Sequence, residues 1–334
     1  MISISTQSNQ PLDAERGTPG ILTDAAALFT RLKLPAARPP GLTSGARQFS
    51  FRVPSAFVDL MTPGNHRDPL LLQVLPNNSD LQSAPNESSD PVGDLASERT
   101  PGLLQKYQGR ALLLTTGACP IHCRYCFRQQ FPYQDSALTP DRLAGVVTAL
   151  RGDRSIREVI LSGGDPLSLA DRRLADVIGE LASISHLKTL RIHTRYPVVD
   201  PRRVTSNLVD ILRGWPRRRV IVIHCNHASE LGVQAREALA MLAATPAVLL
   251  NQSVLLAGVN DSVEALADLS EKLFDSGVLP YYLHMLDPVE GTARFRVDSQ
   301  RARDLMAELR ARLPGYLVPR LVREQPGAIA KLPL

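Results

Sequence analysis

No run of 18 or more apolar residues occurs in this chain, which leaves no candidate for a membrane-spanning helix. The polar opening MISISTQSNQPLDAER lacks the basic and apolar regions of a secretory signal, so a cytoplasmic location is expected. Charge of one sign is also scarce: Lys+Arg 38 against Asp+Glu 33 gives only +5, and no long basic run exists beyond the local trio Arg217, Arg218 and Arg219. That spread argues against nucleic-acid binding, and a basic pocket for anionic cofactors explains the balance equally well. Cysteine is sparse at four residues, and lysine at five: Lys33, Lys106, Lys188, Lys272 and Lys331. What remains is a chain of 334 residues, 44% hydrophobic, able to fill one large core or two smaller ones.

Residues 1–100 are rich in Pro, Ser and Asn in places and read as a partly irregular extension or cover, with short helices plausible at 22–32 and 54–60. The stretch LPNNSDLQSAPNESSDPVGD reads as an irregular loop. Beyond it, apolar runs alternate with longer amphipathic segments. Strands are expected at 111–115, 158–161, 189–193, 220–224, 248–254 and 281–286, and helices at about 138–150, 170–185, 202–213, 230–244, 261–276 and 299–312. Runs such as ALLLT and VIVIH suit parallel strands covered on both faces. Six strand–helix repeats are too few for a closed eight-stranded barrel, leaving an open partial barrel or a doubly wound sheet. Either puts the chemistry at the carboxyl ends of the strands.

Three of the four cysteines, Cys119, Cys123 and Cys126, fall in the eight-residue segment CPIHCRYC just after the first of these strands. Such crowding favours a metal or cluster site over disulfides. A zinc ion held by the three thiolates and His122 is one reading, although no second half-site is present. Three thiolates on a short loop can also hold an iron–sulfur cube with one iron open. Cys225 stands alone at an apolar strand end and reads as structural.

The CxxxCxxC segment after the first strand of a repeated β/α chain resembles the radical S-adenosylmethionine (SAM) enzymes. That resemblance implies a partial (β/α)6 TIM-like barrel in an α/β fold, with a [4Fe-4S] cluster whose open iron is chelated by SAM. It divides the chain into the extension 1–100, a core 101–300 and a C-terminal segment 301–334. Ser162, Gly163, Gly164 and Asp165 follow the second strand. Gly-Gly before Asp-Pro is also an ordinary turn, but the family places a glycine-rich SAM-binding segment here. The resemblance extends SAM contacts to Arg195, His224 and Asn226.

Within that superfamily the chain resembles the lysine 2,3-aminomutases over roughly residues 100–334. These also use pyridoxal 5'-phosphate (PLP), whose lysine follows a Gly-containing loop and precedes a residue and Pro. The segment EQPGAIAKLP matches this context at Lys331, which would otherwise read as a frayed terminus. The resemblance assigns Lys106, Tyr107, Arg110, Gln252 and His284 to the PLP site. Lys106 replaces a family Arg and His284 a family Tyr. On residue type alone, Arg110 and Gln252 would pass as structural. Arg128 is expected to pair with the substrate carboxylate, and Asp287 and Glu324 with its ε-ammonium. Glu324 stands where the free-lysine enzymes have Asp.

The chain is expected to lack the zinc-binding C-terminal extension of the free-lysine enzymes, with Ser262 in place of their remaining Cys ligand. It therefore resembles the branch that converts (S)-α-lysine to (R)-β-lysine for elongation factor P. In that branch lysine enters an external aldimine, and nitrogen migrates from C2 to C3 through a radical started by SAM cleavage. Implied partners are lysine, a reductant such as flavodoxin or ferredoxin, and functionally elongation factor P and its lysyl ligase. The alternatives are a free-lysine or other amino-acid 2,3-aminomutase, or a non-enzymatic iron–sulfur module that binds nucleic acid.

Overall fold

Residues 20–34, 50–82, 84–133 and 138–334 are described in a computed structural model. The extension contributes the antiparallel pair β1 (Ile21–Leu22) and β2 (Val53–Pro54), with helices α1 (Ala25–Arg31), α2 (Ser55–Val58) and α3 (Pro69–Leu72). A ten-stranded sheet then runs through β3 (Glu98–Thr100), β4 (Leu103–Leu104), β5 (Arg110–Thr116), β6 (Glu158–Gly163), β7 (Thr189–Thr194), β8 (Arg218–Ile223), β9 (Ala247–Val254), β10 (Leu279–His284), β11 (Arg320–Arg323) and β12 (Leu332–Pro333). The crossovers carry α4 (Pro140–Gly152), α5 (Asp171–Ala182), the short α6 (Tyr196–Val199) with α7 (Ser206–Arg213), α8 (Val233–Ala243), α9 (Val263–Asp275) and α10 (Ser299–Arg312).

From β5 to β11 every neighbour is parallel and the strands lie in sequence order. With crossovers of one hand, that order puts the helices on one face and curls the sheet toward a barrel. It stays open, because β3 and β12 form two unpaired edges. The expected partial barrel is therefore present, with a seventh parallel strand added. Residues Tyr282, Leu283 and His284 of β10 pair with Arg320, Leu321 and Val322 of β11. Residue 301 falls inside α10, so this last crossover continues the core sheet.

Burial alternates along β7: Leu190 and Ile192 join the main core with Val146, Val177, Leu208 and Leu239 of the helices, while Arg191 and His193 lie half-buried on the other face. That second face is the lumen of the open barrel. Along β9, Leu249 packs to the helix side and Gln252 falls on the lumen side. Ser262 caps α9, its Oγ accepting from Ala265 N at 3.2 Å.

The extension is more than a cover. Leu28, Phe57, Leu70, Leu71 and Val74 belong to the same hydrophobic cluster as the barrel helices. Their helices, four to seven residues long, are too short to imprint a period on the sequence. No helix among the described residues is long and apolar enough to cross a membrane.

Candidate active site

The three clustered cysteines lie on the loop leaving β5, all half-buried and free. The loop is pinned by backbone bonds to the extension, His122 N to Arg52 O at 2.9 Å and Arg124 N to Gln73 O at 2.8 Å. It also meets the turn after β6, through Gly164 N to Thr116 O at 2.7 Å and Asp165 N to Ala118 O at 2.8 Å. The two glycines are required by the chain itself. A Cβ on Gly163, whose φ is +122°, would lie 2.5 Å from Thr116 O, and one on Gly164 would lie 2.3 Å from Ala118 O.

Burial raises the Cys119 thiol well above its usual range, and Asp165, Cys123 and Cys126 add to the rise. Burial followed by Cys123 pushes Cys126 up to about 12. Burial is the larger cause, and the added repulsion between neighbouring thiolates is one that a cationic cluster would relieve. Among the described residues, no three His, Cys, Asp or Glu side chains converge as ligands of one ion. A single zinc needs that convergence, and His122 Nδ1 instead faces Ser50 O at 2.6 Å. In an iron–sulfur cube each thiolate takes its own iron, so the three need not converge on one ion.

Behind the loop lies a buried polar network. Arg195 reaches Cys123 Sγ with Nη1 at 2.6 Å, while Nη2 donates to Gln73 Oε1 at 2.7 Å and to Glu230 Oε2 at 3.0 Å. Gln73 Oε1 also accepts from Tyr125 OH at 3.1 Å and from Asn226 Nδ2 at 3.0 Å. His224 Nε2 lies 2.8 Å from Tyr125 OH, and burial, then Arg195, brings its pKa to about 3. The expected SAM contacts Arg195, His224 and Asn226 are thus brought to the cluster loop. Asp165 is engaged by its own chain, its carboxylate accepting from Leu167 N, Thr194 Oγ1 and Arg195 N at 2.7–3.0 Å. Burial raises it to about 6.

The second half of the site gathers around the C-terminal hairpin. Arg323 of β11 pairs with Leu332 of β12, which sets Glu324 opposite Lys331, and the two side chains form an ion pair. Glu324 Oε1 also accepts from Tyr107 OH at 2.9 Å and lies 3.4 Å from Lys106 Nζ. Burial would raise Glu324, but Lys331, Lys106 and Tyr107 bring it down to about 2. Lys106 continues the chain to Asp94 Oδ1 at 2.6 Å and Val92 O at 2.7 Å. Asp94 Oδ2 in turn accepts from Arg128 Nε at 2.7 Å, and Arg128 Nη1 donates to Ser162 Oγ at 3.1 Å. Burial opposes ionisation of Asp94, yet Arg128 and Lys106 hold it below the usual carboxylate range.

Asp287 is different, because its carboxyl makes no hydrogen bond or ion pair to the described residues. Burial, then Glu324, pushes it up to about 7. Burial, then Lys331, takes His284 down to about 3, leaving it neutral. Arg110 has no carboxylate partner among the described residues, and its Nε is shielded without one, 5.1 Å from the Tyr107 ring to the guanidinium carbon. Gln252 faces the lumen. An unpaired cation suits a phosphate, and an orphan carboxyl suits an ammonium.

Gln73, Asp94, His193 and Glu230 escaped the sequence reading. Asp94 closes the stretch read as an irregular loop and Gln73 lies just before it in the extension, where only their burial reveals them. An acid embedded in a Pro- and Ser-rich stretch gives no local signal.

Residues 113–222 match the radical SAM superfamily. An L-lysine 2,3-aminomutase of Escherichia coli (strain K12) is 45% identical over 291 residues, covering 87% of this chain and 85% of its own. One from Buchnera aphidicola is 43% identical over 284 residues, covering 85% of this chain and 84% of its own. One from Clostridium subterminale is 33% identical over 295 residues, covering 88% of this chain and 71% of its own.

Proposed function

Since the chain belongs to the L-lysine 2,3-aminomutase family, isomerases of the radical SAM superfamily, we propose that it moves the α-amino group of lysine to C3, yielding β-lysine for attachment to elongation factor P. The family implies a [4Fe-4S] cluster, SAM and PLP. The observation that carries the reading is the unbroken chain of charges Lys331, Glu324, Lys106, Asp94 and Arg128. On this reading Arg128 takes the α-carboxylate and Glu324 the ε-ammonium, and both belong to one network that ends at Lys331, the lysine proposed for PLP.

Cys119, Cys123 and Cys126 would hold the cluster, and Lys331, Arg110 and Gln252 the PLP. When bound, the cluster with SAM supplies a carbon radical that abstracts hydrogen, and PLP supplies a conjugated carbonyl equivalent that lets nitrogen migrate. The protein's part is positioning. Asp94 fixes the Nε side of Arg128, so the remaining guanidinium face is presented to a carboxylate. Asp287 and Glu324 select a cationic side-chain end, because a neutral one would leave the Asp287 carboxylate without a counter-charge. Lys331 must give up its proton before it can bond to PLP, and Glu324 remains to take up a cation.

The elongation factor P destination rests on the resemblance drawn from the sequence. Anaerobic reconstitution with iron, sulfide, SAM, PLP and reductant, followed by product analysis from lysine, tests the chemistry. β-Lysine is expected. Its absence from fully loaded enzyme overturns the activity, and failure of the elongation factor P ligase to use the product overturns the destination.

A further inference from the structure

We propose that His193 is a positioning residue for the ligand held between Lys331 and Arg128, its Nε2–H donating to an anionic oxygen of that ligand. The inference rests on the function proposed above and adds a contact to it. His193 lies on the lumen face of β7, one step beyond the Leu161 to Ile192 pair, which sets it beside Ser162 on the neighbouring strand. Ser162 is the residue whose Oγ accepts from Arg128 Nη1 at 3.1 Å. Nε2 of His193 is shielded from solvent, yet it has no hydrogen-bond partner among the described residues.

A shielded, unpaired ring nitrogen is uncommon in native structures and costs free energy until something meets it. The charges that reach this ring come from Arg191, Lys331 and Arg128, with His284 also near. Burial and these cations drive its pKa well below the usual value, so the ring is neutral and keeps one N–H. Arg191 is already paired with Glu158, and Arg128 with Asp94. What the ring lacks is an acceptor, and an anionic oxygen is the acceptor that this ring of cations favours. Two such oxygens belong to the proposed ligand: the pyridoxal phenolic oxygen and the lysine carboxylate.

The test uses the full chain loaded with PLP and titrated with lysine without turnover, as wild type, His193→Leu and His193→Gln. Loss of one hydrogen bond to a charged oxygen is expected to weaken ligand binding about tenfold or more in His193→Leu. His193→Gln, whose amide nitrogen reaches a similar distance, should recover most of it. A merely structural role would lower the unfolding temperature of His193→Leu, whereas removal of an unpaired nitrogen should leave it level or raise it. A shifted pyridoxal absorbance band before lysine is added assigns the oxygen to PLP. A change confined to the lysine titration assigns it to the carboxylate. Wild-type behaviour of both variants in both measurements overturns the proposal. Wild-type protein that holds no PLP overturns instead the function on which it rests.

Discussion

Glu324 and Lys331 face each other across the hairpin of β11 and β12, carboxylate against ammonium. The same carboxylate takes Tyr107 and Lys106, so one acid gathers those two groups with the proposed PLP lysine. Substituting Glu324→Gln removes the charge and keeps the shape. Full loss of a buried partner costs about 3–5 kcal/mol, and partial exposure of this pair reduces that to roughly 1–3. Lysine affinity should fall about tenfold or more while PLP loading is retained, both measured by titration. Unchanged lysine affinity would remove Glu324 from the ε-ammonium site.

Asp287 makes lysine binding depend on pH. Its carboxyl is raised to about 7 by burial and by Glu324. Below that pH it is largely protonated and neutral, and above it the carboxylate is available to pair with an ammonium. Binding lysine must therefore release a proton on the acid side, and affinity should climb as pH rises through about 7, by up to about tenfold per unit below it. Calorimetry in buffers of different ionisation enthalpy reads the proton directly. The dependence should vanish in Asp287→Asn, and its persistence there would assign it to another group.

Cys119→Ala, Cys123→Ala and Cys126→Ala should each lose the cluster, while Cys225→Ala keeps it. Cys225 is fully buried, with Sγ 3.4 Å from His227 O, and lies in the main hydrophobic cluster. Its truncation should cost about 1 kcal/mol of stability by leaving a small cavity. Iron content after reconstitution separates the two classes, and full iron in the Cys123 variant would sink the assignment.

The barrel was legible because buried parallel strands are continuous apolar runs. The segments read from ALLLT and VIVIH lie within β5 and around β8, whereas at Lys331 only the glycine-containing loop was expected and the hairpin was not. β11 was assigned to the tail because four residues carry no periodicity, and its place in the sheet is fixed only by pairing with β10. The cluster cysteines announce themselves by type and spacing, whereas Lys331 stands out only through the resemblance of EQPGAIAKLP to the aminomutase loop. Gln73 and Asp94 act through long-range contacts that sequence does not link: Gln73 binds Glu230 across 157 positions and Asp94 binds Arg128 across 34.

Gln73 supplies the next prediction. It is fully buried, and its one side chain serves Arg195, Tyr125, Asn226 and Glu230. Gln73→Leu keeps the volume but strips these groups of a partner, which should destabilise the fold by about 2–4 kcal/mol and loosen the cluster loop. Thermal unfolding and the rate of iron loss to a chelator should both worsen. A variant that unfolds and holds iron as wild type does would show the network to be redundant.

Lys331→Ala addresses the PLP chemistry. Lys106 is committed to Val92, Asp94 and Glu324, and Lys188 is bound to Ser185 O on the exposed surface, so neither amine is placed to hold a cofactor. Lys331 has one partner, Glu324, and lies beside the lumen that also holds His284 and the orphan Asp287 carboxyl. Loaded wild-type protein treated with borohydride should carry one pyridoxyl group on the peptide containing Lys331, because reduction fixes a Schiff base. The Lys331→Ala variant should carry none and show no turnover, yet retain iron and SAM binding, since among the described residues no hydrogen bond or ion pair joins a cluster cysteine to Lys331, whose partner is Glu324. Removing the ammonium also leaves Glu324 with Lys106 and Tyr107 alone, so its pKa should move up from about 2, a change that carboxylate NMR can follow without any cofactor. An adduct found on Lys106 or Lys188 would relocate the PLP site and, with it, the reading of Glu324 and Asp287.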